Sequence, residues 1–117
     1  MKIALLLFSV LFSGTIPASS NEQLLPTKLS VTVIDGLGNI VEGATVSIYE
    51  NEEDYRSGEK VTATALTDKK GRVTFKDLKL IPYYIEAKKD EMNNNGEGVI
   101  TGTLSEGKVN KVNTVIE

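Results

Sequence analysis

Residues 28–34 read KLSVTVI, and this short stretch decides the fold. Leu29, Val31 and Val33 fall on one side of an extended chain, while Ser30 and Thr32 fall on the other. Successive side chains of a strand point to opposite faces, so a period of two marks a strand with one dry face and one wet face. A helix would repeat its apolar positions every three or four residues instead. Downstream the same period returns. Residues 44–49 (ATVSIY) place Ala44, Val46 and Ile48 inward, and residues 72–75 (RVTF) place Val73 and Phe75 on one face. Tyr83, Ile85 and Ala87 alternate with Tyr84, Glu86 and Lys88.

The segments between these strands carry turn and loop chemistry. Residues 35–39 (DGLGN) hold two glycines, which accept positive φ at little steric cost. Residues 50–58 (ENEEDYRSG) are polar, and the reading is a solvated loop. Residues 60–67 (KVTATALT) are rich in β-branched side chains and read as a strand, which the tight turn at 68–71 (DKKG) joins to Arg72–Phe75 as a short hairpin. Pro82 lacks a donor and belongs at the start or edge of a strand. Residues 90–98 (DEMNNNGEG) read as a mobile polar tip, and Val99–Leu104 and Val109–Ile116 as the last two strands. Short strands at this spacing, with no helical segment, predict an all-β, seven-stranded, Greek-key-like β-sandwich.

The first twenty residues differ from the rest. Lys2 supplies a positive start, Ile3–Phe12 is almost unbroken apolar sequence, and Ser13, Gly14, Pro17, Ala18, Ser19 and Ser20 follow. That order is a secretory signal peptide. Its apolar run is too short for the roughly 20 residues of a membrane-spanning helix. The expected domains are a leader at 1–20, cut after Ser20 or Ala18, and a module at 21–117. Loss of Lys2, the leader's one charge, moves the formal charge from −3 to −4. An acidic chain of mixed charge lacks the basic patch that nucleic acid requires. The chain has no cysteine, so neither lipid attachment at a thiol nor a disulfide is available, and the module must rely on its core. The expectation is a periplasmic or extracellular protein, without membrane insertion once the leader is gone. Lys28, Lys108 and Lys111 on the first and last strands read as guards against edge pairing, which predicts a monomer.

Taken together, V-x-V at Val31–Val33, D-G-x-G-N at Asp35–Asn39, V-E-G-A-T-V at Val41–Val46 and T-D-x-x-G-x-V-T-F at Thr67–Phe75, followed by Leu78 and Tyr83, form a pattern. It resembles the carboxypeptidase regulatory-like, or prealbumin-like, β-sandwich family. The resemblance spans Leu29–Ala87 and implies a prealbumin-like sandwich, a bacterial exported setting and an accessory role rather than peptidase activity. Family members often carry Pro-Gly before the tyrosine; Ile81-Pro82 stands here, so that corner must turn differently.

A zinc peptidase needs histidine with a carboxylate, and the chain has no histidine and no cysteine. The same lack removes Ser-His-Asp and Cys-His catalysis, and with it the histidine-dependent hydrolases of the transthyretin-like fold. An internal isopeptide bond of the kind found in related sandwiches would want a lysine at Val33 and a glutamate at Ala87, with Asn110 or Asn113 as acceptor. Calcium ligands could come from Asp35 with Asn39, or from Glu50, Glu52, Glu53 and Asp54, but neither group has the spacing of a calcium loop, and solvated loop charges are the simpler reading. No catalytic residue, metal or cofactor is therefore expected. Candidate contacts are Tyr49, Tyr55 and Tyr84, on outward or loop positions, and Asn93, Asn94 and Asn95 in the polar tip. Tyrosines on a sheet also pack across strands, so a purely structural use of them stays open. The expected function is a non-catalytic structural or protein-interaction module, with a carbohydrate- or peptide-binding module as the alternative.

Overall fold

A computed structural model describes residues 25–96 and 98–117. The leader at 1–20 lies outside the described residues. Strand β1 (Lys28–Asp35) forms as the alternation requires, with Leu29, Val31 and Val33 at 0% exposure. It is the middle strand of a three-stranded sheet, antiparallel to β4 (Arg72–Phe75) and parallel to β7 (Val109–Ile116). A parallel pair cannot close through a hairpin, so the chain crosses the second sheet between its first and last strands. That second sheet runs β3 (Ala63–Leu66), β2 (Thr45–Tyr49), β5 (Tyr84–Lys89), β6 (Met92–Asn93), with every pair antiparallel.

The two inner faces meet in one core. Leu29, Val31, Val33, Val73, Phe75 and Ile116 come from the three-stranded sheet, and Val46, Ile48, Ile85 and Ala87 from the other. Each such large apolar side chain contributes about 1.5–3 kcal/mol on burial. Tyr83 is buried just before β5, and its hydroxyl accepts the Lys79 N–H at 3.0 Å, so its polar end is satisfied. The result is a sandwich of three and four strands, as the period-two pattern requires.

Four details differ from the sequence reading. First, residues 50–58 are not all loop: Glu52–Ser57 form a short helix, α1. The Asn51 side chain caps its start by accepting the Asp54 N–H at 2.8 Å, and Gly58 closes it at φ 74, a left-handed geometry that suits glycine. Second, Val99–Leu104 is not a strand. It makes one bridge, Ile100 to Tyr84, and two backbone bonds, Ile85 N–H to Val99 O and Thr101 N–H to Tyr83 O. The Thr101 hydroxyl takes the Tyr83 N–H at 2.9 Å, a side-chain bond in place of a ladder bond, and Leu104 turns into the core. The sixth strand is instead β6, inside the segment read as a polar tip.

Third, the turn at 68–71 does not close a hairpin, because β3 and β4 belong to different sheets. Asp68 Oδ1 accepts the Lys70 and Arg72 N–H groups, which bends the chain from one sheet to the other. These bonds hold the Asp68 carboxyl below its ordinary pKa. Gly71 completes that corner at φ 73, where a Cβ would sit 2.9 Å from Ile40 Cβ and 3.1 Å from Val33 O. Fourth, β1 is a central strand, so Lys28 guards no edge; of the two strands, β7 with Lys111 is the one at an edge. Among the described residues no helix is long and apolar enough to cross a membrane.

Candidate functional site

Strand pairing sets the outer face of the four-stranded sheet. Tyr49 lies opposite Tyr84, Ser47 opposite both Glu86 and Thr64, and Thr45 opposite both Lys88 and Leu66. Lys88 in turn faces Asn93 of β6, and Tyr84 bridges to Ile100. Paired residues share a face, so the surface reads in three rows. One row is aromatic and apolar (Tyr49, Tyr84, Ile100). The next holds Thr64, Ser47 and Glu86, and the third Leu66, Thr45, Lys88 and Asn93.

Helix α1 folds back over the first row. It has no buried residue of its own, and Tyr55 anchors it. The Tyr55 ring lies 6.0 Å from Tyr49, edge-on at 77°, and 5.9 Å from Tyr84, tilted at 32°. Such pairs contribute about 0.5–1.5 kcal/mol beyond the area they bury. The helix is also held internally, with Arg56 Nε donating to Glu52 Oε2 at 2.8 Å.

Beside the helix opens a cleft of about 410 Å³. Thr45, Ser47 and Thr64 form its floor with Glu86 and Lys88, Tyr49 closes one end, and Gly58 and Val61 form a wall. Two of the floor hydroxyls are bonded to each other and to the backbone. Thr64 Oγ1 donates to Val46 O at 3.1 Å, so in the 2.6 Å contact with Ser47 Oγ the serine is the donor. Glu86 is half-buried and makes no hydrogen bond or ion pair among the described residues. Its charge is nevertheless felt at the aromatic row. Burial raises the pKa of Tyr49 and of Tyr55, and the Glu86 carboxylate adds to the rise in both.

The candidate contacts divide. The structure brings Tyr49, Tyr55 and Tyr84 into one cluster, which their positions in the chain did not show. Tyr49 points outward from the sheet as read, yet is only 4% exposed because α1 covers it. Tyr55 and Tyr84 are half-buried. Asn93 is exposed on the same face, two rows away, and Asn95 is exposed in the turn beyond, its N–H bonded to Asn93 Oδ1. Asn94 is corrected: at 1% exposure it offers nothing to a partner. Its Oδ1 accepts the Ala87 N–H, and its Nδ2 donates to Ile85 O and to Thr114 Oγ1, tying β5 to β7.

The acidic loop residues serve local structure. Asp35 Oδ1 accepts the Leu37 and Asn39 N–H groups, which holds its carboxyl below the ordinary range; Glu52 pairs with Arg56, and Glu50 with Lys79. Among the described residues no three Asp or Glu side chains gather as a metal site. Glu86, Ser47, Thr64 and Lys88 are the site residues that sequence reasoning did not single out. The signal for Glu86 was its outward position between Tyr84 and Lys88, but which neighbours it meets depends on strand pairing.

No protein-family model matches the chain, and no curated protein sequence matches it. Among solved structures it is similar to the Bacillus anthracis TIE protein, at TM-score 0.55 and 19% identity over 79% of this chain. The chain spans 17% of that protein's length. It also aligns with a candidate carbohydrate-binding protein of Pseudomonas aeruginosa (TM-score 0.49, 15% identity, 87% of this chain and 98% of that one). A third alignment is with chlorocatechol 1,2-dioxygenase of Pseudomonas putida (0.45, 15%, 79% and 61%). The first of these likenesses shows a shared β-sandwich fold alone.

Proposed function

We propose that the chain is a non-catalytic module of the carboxypeptidase regulatory-like type, exported to the periplasm or cell exterior, that binds a partner protein on the outer face of its four-stranded sheet. The observation that carries this reading is the open cleft beside α1, with the half-buried Glu86 on its floor and a tyrosine cluster at its end. Loops and insertions over a rigid scaffold are where binding concentrates, and α1 is such an insertion between β2 and β3. A chain without histidine or cysteine lacks the usual acid, base and nucleophile sets, which supports a binding role over a chemical one.

The test is capture from envelope and secreted fractions with three forms of the purified chain. The native chain and Lys111→Glu, altered on the opposite sheet, recover the same partner in comparable amount. Thr64→Arg, which fills the cleft floor, loses it. Capture that survives Thr64→Arg and fails with Lys111→Glu puts the interface elsewhere and defeats the proposal.

A small-ligand reading, with carbohydrate or peptide bound, draws on the hydroxyl-bearing floor of Thr45, Ser47 and Thr64. A glycan array bound by the native chain and not by Thr64→Arg would favour it.

A further inference from the structure

The two sheets end in four edge strands, and three of these are guarded. An open edge offers unpaired N–H and C=O groups to any extended chain, and proteins close such edges with bonds, short strands or charges. At β4, Asp68 takes both backbone groups of Arg72, accepting its N–H on Oδ1 at 3.0 Å and donating to its C=O at 2.9 Å. Strand β6 is two residues long, and its Asn93 exchanges backbone bonds with Glu117 beyond the end of β7. Strand β7 carries the exposed Lys111. Strand β3 (ATAL) has none of these guards. The Thr67 N–H bonds Ala44 O at 2.9 Å, so alternation makes Val46 and Ala65 the next bonded pair. That turns the N–H and C=O of Thr64 and of Leu66 away from β2, and among the described residues nothing bonds to them.

We infer that a partner protein adds an extended segment to β3 as a fifth strand of this sheet, the segment being uncharged and β-branched along β3 and acidic at both ends. The inference rests on the protein-binding role proposed above and names the chemistry of the partner and the edge at which it arrives. The backbone of an added strand supplies the bonds that Thr64 and Leu66 lack. On the inner side, Ala63 and Ala65 pack against the core but are only half-buried, so apolar side chains on the added strand cover the border of the core. On the outer side, Leu66 is 64% exposed and gains a neighbour. Charge settles the ends. Lys60 precedes β3 and Lys69 and Lys70 follow it, all exposed and without an ion pair among the described residues. The adjoining acids are Glu59 and Asp68, and Asp68 is committed to its turn. Thr64 also belongs to the cleft floor, so the added strand runs along the rim of the cleft. A second copy of this chain does not match: antiparallel pairing of two β3 strands about Ala65 directs Lys60 of one copy toward the Lys69 and Lys70 end of the other.

The experiment uses the purified chain and three blocked peptides: Glu-Glu-Thr-Val-Thr-Val-Thr-Glu-Glu, the same sequence with lysine in place of each glutamate, and the glutamate form methylated on the backbone nitrogens of its central five residues. Amide shifts and amide hydrogen exchange are followed by NMR. The glutamate peptide is expected to shift β3 and to slow exchange of the Thr64 and Leu66 N–H groups. The lysine peptide is expected to bind about tenfold more weakly, and the methylated one not at all. Leu66→Pro removes one outward N–H that β2 does not use, and is expected to lose the peptide while the spectrum outside β3 stays native. Joint replacement Lys60→Glu, Lys69→Glu and Lys70→Glu, all on exposed positions, is expected to reverse the preference between the two charged peptides. Unchanged exchange at Thr64 and Leu66, equal binding of the methylated peptide, or a preference that survives the charge reversal overturns the inference. If no peptide pairs with β3 but capture of a partner is still lost with Thr64→Arg, the edge assignment fails and the protein-binding reading stands. If capture fails as well, both fall.

Discussion

The two sheets share one core but present opposite exteriors. On the three-stranded sheet, strand register places Lys28, Ser30, Thr32 and Ile34 of β1 outward, with Arg72 and Thr74 of β4 and Val109, Lys111, Asn113 and Val115 of β7. That face holds three cations, hydroxyls and β-branched side chains, and no carboxylate. On the four-stranded sheet, the insertion between β2 and β3 folds back as α1 over a row of tyrosines and leaves a cleft around Glu86. The inward halves of both sheets are spent on the core, so neither can be given up without unfolding. The outward halves are free to differ, and only one of them carries an added element with no burial of its own. Stability therefore belongs to both sheets, whereas the candidate site belongs to one.

The largest expected effect erases this contrast. Asn94 links the sheets, and Asn94→Ala leaves the Ala87 N–H and Ile85 C=O without their side-chain partner in the interior. Urea unfolding is expected to show a loss of about 3 kcal/mol, from the cost of burying unsatisfied groups. A loss under about 1 kcal/mol would mean that other partners replace the amide.

Tyr55→Ala sharpens the contrast. It removes the anchor of α1, with a loss of about 1–2 kcal/mol and lower hydrogen-exchange protection confined to residues 51–61. Loss of protection in β7 as well would show that the two faces are coupled.

An alkaline titration separates the faces by proton release. Tyr49 and Tyr55 keep their protons above the ordinary pKa of 10.0, through burial first and the Glu86 charge second. The unfolded chain releases the same protons near its ordinary value, so it binds fewer protons in that window. Stability is then expected to fall as pH rises through 10 and beyond, read from urea midpoints across the range. Flat stability there, or tyrosines titrating at the ordinary value by ultraviolet absorbance, would contradict the packing of α1.

The smallest effect is expected on the open face. Lys111→Gln should change stability by no more than about 0.5 kcal/mol, since the residue is exposed on an edge strand. A larger change would show that this face is structured by its charges.

Much of this was legible in local pattern. Leu29, Val31, Val33, Val46, Ile48, Val73, Phe75, Ile85 and Ala87 are buried where alternation placed them. The α1 helix was legible too, though read as loop: Asn51 as cap, acids in the first turn, Arg56 in the last and Gly58 beyond it are its punctuation. Val99–Leu104 misled because β-branched composition reports fitness for a sheet, and the Thr101 hydroxyl took the place of a ladder bond. Asn94 looked like any residue of a polar tip. Nothing in N-N-N distinguishes the middle amide from its neighbours until β5 and β7 are side by side.

What the sequence by itself determined is each strand's inward face, the turns that need aspartate or glycine, and the lack of catalytic imidazole and thiol. These follow from period, φ preference and side-chain chemistry, all local properties. Only the tertiary structure decided that β1 runs parallel to β7, that the turn at 68–71 changes sheets, and that three tyrosines cluster under α1, with Tyr49 among them reaching the cleft that holds Glu86. The physical reason is that strand neighbours are chosen by burial across the whole core, and alternation tells each strand which way to face without telling it beside whom.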